Sequence, residues 1–467
     1  MKKCIVLFTF LLLLTTLVWA GGQSEAQGEA AAEEPAAEQM EGPVAIDFWT
    51  TQTQSDRMAT IQVLIDTFEA LNPNISVNLV AVDENEMATQ LNTAAAAGTL
   101  PGMIECAAEN AVAFGTEGLL DPQAISAVID EIGKSKFYAG TLRLNETADK
   151  GSYYGVPFHG WVQGIWYRAD WFEEAGLNPP STWEDIRKAA EYFYQPDKNQ
   201  YGILVGTKAE AYAEQCFTQI AMANGAELFD ADGNLIFNSP EIREAIEYYA
   251  QLAQYTPPGP QTWRARDYYL QGKMAMFFYS TYIMDDLAIE ENAENSLTSE
   301  NFADLEGRSF DPELVQNTRL APTISKTQDA GYGTIVSFGI PDHGDAAKIA
   351  AAQKFIRYLF TPNAYITWLH MAPGGMNPVL KDIATNARFQ NDPKGIFQHY
   401  GAEKMAEIIQ GLDSIETFSI VDGKRMAAAS TIYSKQIIPQ MIYKITQEGM
   451  SVEKAMEWAE AEMKKLM

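Results

Sequence analysis

The chain has 467 residues, 47% of them hydrophobic, which is enough for two lobes with cores of their own, since domains run to roughly 100 to 200 residues. Asp and Glu outnumber Lys and Arg by 62 to 33, and the formal charge of −29 argues against a nucleic-acid ligand and against rest on an acidic membrane surface. Three cysteines in so long a chain exclude dependence on a disulfide framework.

Lys2 and Lys3 precede an apolar run over residues 5–17, followed by Val18-Trp19-Ala20, the pattern of a secretory signal peptide cleaved before Gly21. The run falls short of the roughly 18 to 20 residues of a spanning helix, and no other segment is long and apolar enough. Cys4 stands before the apolar core, so it cannot become the lipid-bearing first mature residue, and the mature chain is expected to be soluble. Cys106 and Cys216 remain after cleavage; in an oxidising compartment they could form one bridge, which spacing alone does not decide.

Residues 21–43 are Ala, Glu, Gln and Gly with almost no large apolar side chain, an acidic leader that cannot bury enough surface to offset its ordering. Ala45-Ile46-Asp47-Phe48-Trp49 reads as the first strand, and residues 50–56 as a polar loop. Residues 58–71 place Ile61, Leu64, Ile65 and Phe68 at helical spacing, ended by Asn72-Pro73-Asn74. Residues 75–82 alternate as a strand. Strand, helix, strand predicts a crossover and a largely parallel sheet. A helix over 86–97 stops at Gly98, and the turn Leu100-Pro101-Gly102 leads into a strand at Met103-Ile104-Glu105. The C-terminal third predicts helices over 346–360, 402–410, 430–448 and 452–466, the third kinked or broken at Pro439.

Tyr154-Gly155-Val156-Pro157-Phe158, then Ile165-Trp166-Tyr167-Arg168, then Trp171-Phe172-Glu173-Glu174-Ala175-Gly176-Leu177 form the most specific passage. Pro179-Pro180-Ser181-Thr182-Trp183-Glu184-Asp185 follows, with Thr182 as the cap of a helix whose first turn is acidic, as the helix dipole favours. The passage closely resembles the central signature of the family 1 extracellular solute-binding proteins, which include the maltose and glycerol-phosphate receptors. Arg168 stands where that family has Asn, and Gly102 where its early Gly-x-x-Pro-Asp segment has Asp. Gly272-Lys273-Met274-Ala275-Met276 and Val452 to Met456 extend the similarity, in the family's order, over nearly all of residues 44–467.

The resemblance implies an α/β protein with the two-lobed periplasmic-binding-protein fold, each lobe a mostly parallel sheet flanked by helices. Three hinge crossovers are expected near Val156, Leu320 and Pro373, dividing the chain into 44–155 plus 320–372 and 156–319 plus 373–467. It implies an exported receptor that holds a small sugar or polyol in an interlobe cleft and delivers it to the membrane permease subunits of an ABC importer. Such a receptor acts as a monomer with no cofactor, metal or catalytic residue. An unanchored receptor would be lost from a cell with one membrane, so a periplasm is expected.

Hydroxyls need paired donors and acceptors, and sugar C–H faces pack on aromatic rings. Carried over by position, Thr51, Thr53 and Gln54 fall on the family's first ligand loop. Glu109 and Asn110 fall on the acidic and basic pair of the maltose receptor, with the base lost. Trp161 replaces a hydrogen-bonding acid in the first crossover, and Tyr282 falls on a stacking tryptophan. Tyr332 is added because Gly331 and Gly333 would allow close backbone approach, and Trp263 because it follows the Pro257-Pro258-Gly259-Pro260 loop. Trp166, Tyr167 and Trp171 read as core.

The rival readings are a secreted carbohydrate hydrolase with paired carboxylates, a structural or adhesion protein, and, within the family, a glycerol-phosphate or polyol binder. No Gly-x-Ser-x-Gly elbow or His-Glu-x-x-His helix is present, and His159, His343, His370 and His399 lack metal-ligand spacing.

Overall fold

A computed structural model describes residues 42–296, 311, 313–422 and 424–467, all within one compact unit, Gly42–Met467. The signal peptide and nearly all of the acidic leader read from the sequence lie outside the described residues.

In chain order the strands are β1 (Val44–Thr50), β2 (Ile75–Ala81), β3 (Met103–Ala107), β4 (Val156–Arg168), β5 (Tyr201–Leu204), β6 (Met274–Ser280) and β7 (Thr318–Ala321). They are followed by β8 (Ile324–Ser325), β9 (Asp329–Ala330), β10 (Tyr332–Gly339), β11 (Asn377–Pro378), β12 (Ile420–Val421) and β13 (Lys424–Arg425). The main sheet runs β2-β1-β3-β10-β4-β6-β5, with β7 and β11 also joined to β4.

Its two flanks are parallel, β1 with β2 and β3, and β5 with β6, as the strand and helix alternation predicts. Its middle is antiparallel: β10 pairs in that sense with β3 and β4, and β4 with β6 and β7. Antiparallel neighbours need no helical crossover, so the chain can re-enter the centre of the sheet directly.

The element that organises the molecule is β4, thirteen residues buried throughout and roughly 40 Å long at the usual rise of a strand. Residues 156–163 pair with β10, while 163–168 pair with β6 and β7. Gln163 is the residue shared by both sets, opposite Tyr332 on one side and Ser280 on the other. One strand therefore belongs to both halves of the sheet.

On the β1 side the helix Ser55–Leu71 buries Ile61, Leu64, Ile65 and Phe68, the face predicted from their spacing. Phe68 meets Phe355 at 4.9 Å, and Phe158 meets Phe338 at 4.3 Å and Trp368 at 5.2 Å, so these rings form one aromatic core. Gly102, where the family carries Asp, has a packing reason: a Cβ there would lie 2.6 Å from that of Ile46 in β1. On the β6 side Tyr269 and Phe277 lie 4.4 Å apart, and Trp183 stacks on Tyr248 at 4.1 Å. Thr182 caps the helix Trp183–Phe193 as expected, its hydroxyl accepting from Asp185 N at 3.1 Å.

The helices Ala346–Leu359, Ala402–Gly411 and Val452–Lys464 match the sequence reading. The third predicted helix needs correction. It is two helices, Ala427–Ser434 and Ile437–Thr446, and the break falls at Gln436, whose φ is +53°, rather than at Pro439. Pro439 sits in the first turn of the second helix, where a missing N–H costs nothing. Cys106 and Cys216 are both buried and free.

Candidate functional site

The carboxyl ends of β1 and β3 carry a buried polar knot. Glu105 in β3 is fully buried and accepts from the Thr50 hydroxyl and from Gln52 Nε2 at 2.9 Å. His159 of β4, also fully buried, places Nε2 3.5 Å from Glu105 Oε1. A buried carboxylate persists only where such partners replace its water. Gln52 Oε1 in turn accepts from Arg57 Nη1 at 3.1 Å, and the Arg57 guanidinium lies 5.4 Å from the centre of the Tyr282 ring. The first loop is thereby tied to the turn after β6. Tyr282 is half-buried, and burial raises its phenol despite the opposing charge of Arg57.

Near the middle of β4, Trp161 packs edge-on against Tyr332, ring centres 6.1 Å apart. Both are buried, at 8% and 5% exposure. Of the two glycines that flank Tyr332 only Gly333 is needed for close approach: a Cβ there would fall 2.4 Å from the Trp161 carbonyl oxygen, while one at Gly331 would meet nothing. Gly333 thus serves the close pairing of β10 with β4.

Glu109, in the first turn of the helix Ala108–Thr116, receives four side chains. Thr417, Ser419 and Ser430 donate hydroxyls at 3.1, 2.7 and 2.6 Å, and Arg425 Nη2 donates at 2.9 Å. The base missing at Asn110 therefore arrives from β13. Burial lowers the Arg425 guanidinium, and Glu109 opposes that. Among the described residues Glu109 fastens the β12–β13 hairpin and the helix Ala427–Ser434 to the helix Ala108–Thr116.

A third set of groups joins the loop after β2 to the helix Ala211–Ala223. Asn85 Oδ1 lies 3.3 Å from Gln436 Nε2 and 3.5 Å from Ala211 N. This contact brings Glu84 near Glu210, the N-cap residue of that helix, and Glu214 follows one turn on. Glu84 is exposed on that loop, and its carboxyl is raised by the chain around it and by the neighbouring charges of Asp83 and Glu210. Glu214 is almost wholly buried, and burial, then Glu109, pushes it up to about 8. Tyr433, half-buried, lies within electrostatic reach of Glu214, Glu84 and Glu109.

Of the residues predicted from sequence, Trp161 and Tyr332 touch, and Tyr282 joins the first loop through Arg57 rather than through the predicted threonines. Thr51 is half-buried, while Thr53 and Gln54 are exposed on that loop. Asn110 is half-buried beside Glu109. Trp263 is half-buried with two guanidinium groups over its ring, Arg264 at 4.8 Å and Arg266 at 4.9 Å. Gln52, Arg57, Glu84, Glu105, Glu210, Glu214, Arg425 and Tyr433 were missed. Only Glu105, an acid inside an apolar strand, carried a local signal. Among the described residues no cluster of His, Cys, Asp or Glu could hold a metal ion, and no helix is long and apolar enough to cross a membrane.

A sheet shared by two halves through one long strand, with polar and aromatic side chains brought to it from both, defines a two-lobed α/β solute-binding architecture. The sequence profile of the bacterial extracellular solute-binding proteins matches residues 52–366, and the chain belongs to that family. It is 30% identical over 404 residues to the putative ABC transporter periplasmic-binding protein YcjN of Escherichia coli K12, covering 86% of this chain and 88% of that one. It is also 30% identical over 212 residues to a mannitol-binding protein of Pseudomonas aeruginosa, covering 43% of this chain and 47% of the relative. Among solved structures, an ABC transporter solute-binding protein from Agrobacterium radiobacter K84 in complex with ribitol superposes with a TM-score of 0.72 at 18% identity, over 91% of this chain and 99% of that one.

Proposed function

We propose that this chain captures a small sugar or polyol between its two lobes and presents it to the permease subunits of an ABC importer, with no bond made or broken. The observation that carries this reading is the shared strand β4. Its residue Gln163 pairs with Tyr332 of one half and Ser280 of the other, so rotation about its middle would open or close the space between them. Rings for C–H faces and amides and carboxyls for hydroxyls supply what a hydroxylated guest requires. The names of the relatives support the class: an ABC transporter periplasmic-binding protein, a mannitol binder and a ribitol complex.

The lobes are proposed as 44–162 plus 320–372 and 163–319 plus 373–467, the first crossing lying within β4 at Gln163 rather than at its first residue. Thr51, Thr53, Gln54, Tyr282, Trp161 and Tyr332 are proposed as lining. Glu109, Asn110 and Trp263 are placed outside direct contact, Glu109 because four donors already occupy it. The proposed setting is the periplasm, reached by cleavage before Gly21, and the proposed state is a monomer.

Titration calorimetry against a panel of neutral sugars and polyols, with mass analysis of each mixture afterwards, tests this. Binding with unchanged solute is the expected result. Turnover of any member, or no binding across the panel, refutes it.

A further inference from the structure

The polar knot at Glu105 reaches beyond the first lobe, to an aromatic ring of the second. Both Glu105 oxygens are engaged: Oε2 accepts from the Thr50 hydroxyl, and Oε1 accepts from Gln52 Nε2 at 2.9 Å with His159 Nε2 at 3.5 Å. The two ends of the Gln52 amide are thereby assigned by their partners. Its nitrogen faces a carboxyl, and its oxygen accepts from Arg57 Nη1 at 3.1 Å. Glu105 is fully buried and Gln52 is 5% exposed, so water is poorly placed to take over either contact.

Arg57 is the half-buried end of this chain of contacts. A long side chain gives up rotamer freedom when it is fixed, so something must hold it. Among the described residues no carboxylate lies within ion-pair distance of Arg57; it is held by Gln52 and by the Tyr282 ring, whose centre is 5.4 Å from the guanidinium. A guanidinium over a ring face is attracted to it, and its planar shape makes that attraction depend on orientation. The ring itself is seated, since a Cβ at Gly375 would fall 2.4 Å from Tyr282 Cδ1 and 2.6 Å from Cγ, which puts the backbone there against it. The adjustable member of the Arg57–Tyr282 contact is therefore the arginine, and Gln52 sets where it points.

Resting on the reading of this cleft as the capture site, we infer that Glu105 is a positioning residue for capture: through Gln52 it holds the Arg57 guanidinium over Tyr282 and so fixes how that ring is presented to a guest. Glu105 is too deeply buried to meet the guest, and its influence passes along the hydrogen bonds alone. Arg57 and Tyr282 fall on opposite sides of the proposed lobe division, so the same contact joins the two lobes.

Fluorine NMR of the unliganded mature chain carrying 3-fluorotyrosine at position 282 reads the ring directly. Arg57→Met should shift that resonance, and Gln52→Met, close to glutamine in size, should shift it in the same direction by a comparable amount. Glu105→Leu should follow Gln52→Met, while Glu105→Gln, which keeps an acceptor for the Gln52 amide, should restore the wild-type position. Urea midpoints establish which variants are folded, and Gln52→Met decides the matter if Glu105→Leu is not. In calorimetry with whichever member of the neutral sugar and polyol panel binds the wild type most tightly, Arg57→Met and Gln52→Met should each weaken binding about fivefold, the effect of one lost hydrogen bond. Neither should weaken it further in a Tyr282→Ala background, a non-additivity that a merely structural role would not produce. A resonance that Gln52→Met leaves unmoved, affinities equal to wild type, or losses that add in full to that of Tyr282→Ala overturn the positioning role and leave the sugar and polyol reading intact. Binding by no panel member overturns that reading and this one with it.

Discussion

Replacing Arg425 by Met separates a structural role for Glu109 from a ligand-contacting one. The Arg425 side chain is 2% exposed and that of Glu109 13%, so the pair is almost wholly removed from water. Deleting one member of such a pair ordinarily costs about 3 to 5 kcal/mol, because the other is left charged and uncompensated. Three hydroxyls still donate to Glu109 in Arg425→Met, which brings the expected loss to about 2 to 3 kcal/mol. Glu109→Gln should cost more, about 3 to 5 kcal/mol, since Arg425 already has Nε and Nη1 without partners among the described residues and would lose its only carboxylate there. The double variant should lose about 2 kcal/mol less than the sum of the two singles. Urea unfolding followed by tryptophan fluorescence measures all three, alongside calorimetry on the folded proteins. Single variants with unmoved midpoints but abolished binding would mean that Glu109 receives the guest, and the fastening role assigned to it would be wrong.

Three further outcomes are expected. Tyr282→Ala should weaken capture by about 1 to 3 kcal/mol with little change in unfolding midpoint, and an unchanged dissociation constant would remove Tyr282 from the lining. Gly375→Ala would bring a Cβ to 2.4 Å from Tyr282 Cδ1, so it should displace that ring and weaken capture much as Tyr282→Ala does; wild-type affinity would contradict this packing. The Glu214 carboxyl is raised from 4.5 to about 8, so between those values the folded chain holds a proton that the unfolded chain has released. Its stabilising contribution is complete below about pH 4.5 and is lost as pH rises through about 8, with a slope of at most about 1.4 kcal/mol per pH unit. Melting of the unliganded protein between pH 5 and 8 should therefore fall more steeply in the wild type than in Glu214→Gln, and parallel curves would count against a buried, protonated Glu214.

The parts of this molecule that the sequence discloses are those in which cause and effect lie within one turn or one strand. Ile61, Leu64, Ile65 and Phe68 announce a helix because burial repeats with the helical period, and Thr182 announces a cap because its hydroxyl needs only the amide three residues on. Pro439 shows the limit even of local rules, since the same residue that breaks a helix in its middle is harmless in its first turn. The choice between those outcomes was made at Gln436 by a left-handed backbone that composition does not mark.

The site lies beyond that horizon. The base that balances Glu109 comes from 316 positions away, and Asn85 meets Gln436 across 351. Asn110 stands where a base is expected, and the charge is not lost but supplied from Arg425, far along the chain. The same reasoning bears on the acids. Among 62 Asp and Glu, Glu214 is unremarkable in the sequence; it becomes informative only when folding buries it beside Glu109 and Tyr332 with an oxygen left unpaired. Family resemblance conveys the frame within which a guest is held, while the pairing of the charged groups inside that frame is set by distant contacts such as that of Arg425 with Glu109. Two chains with the same motifs can therefore share the closing motion and still differ in what they close upon.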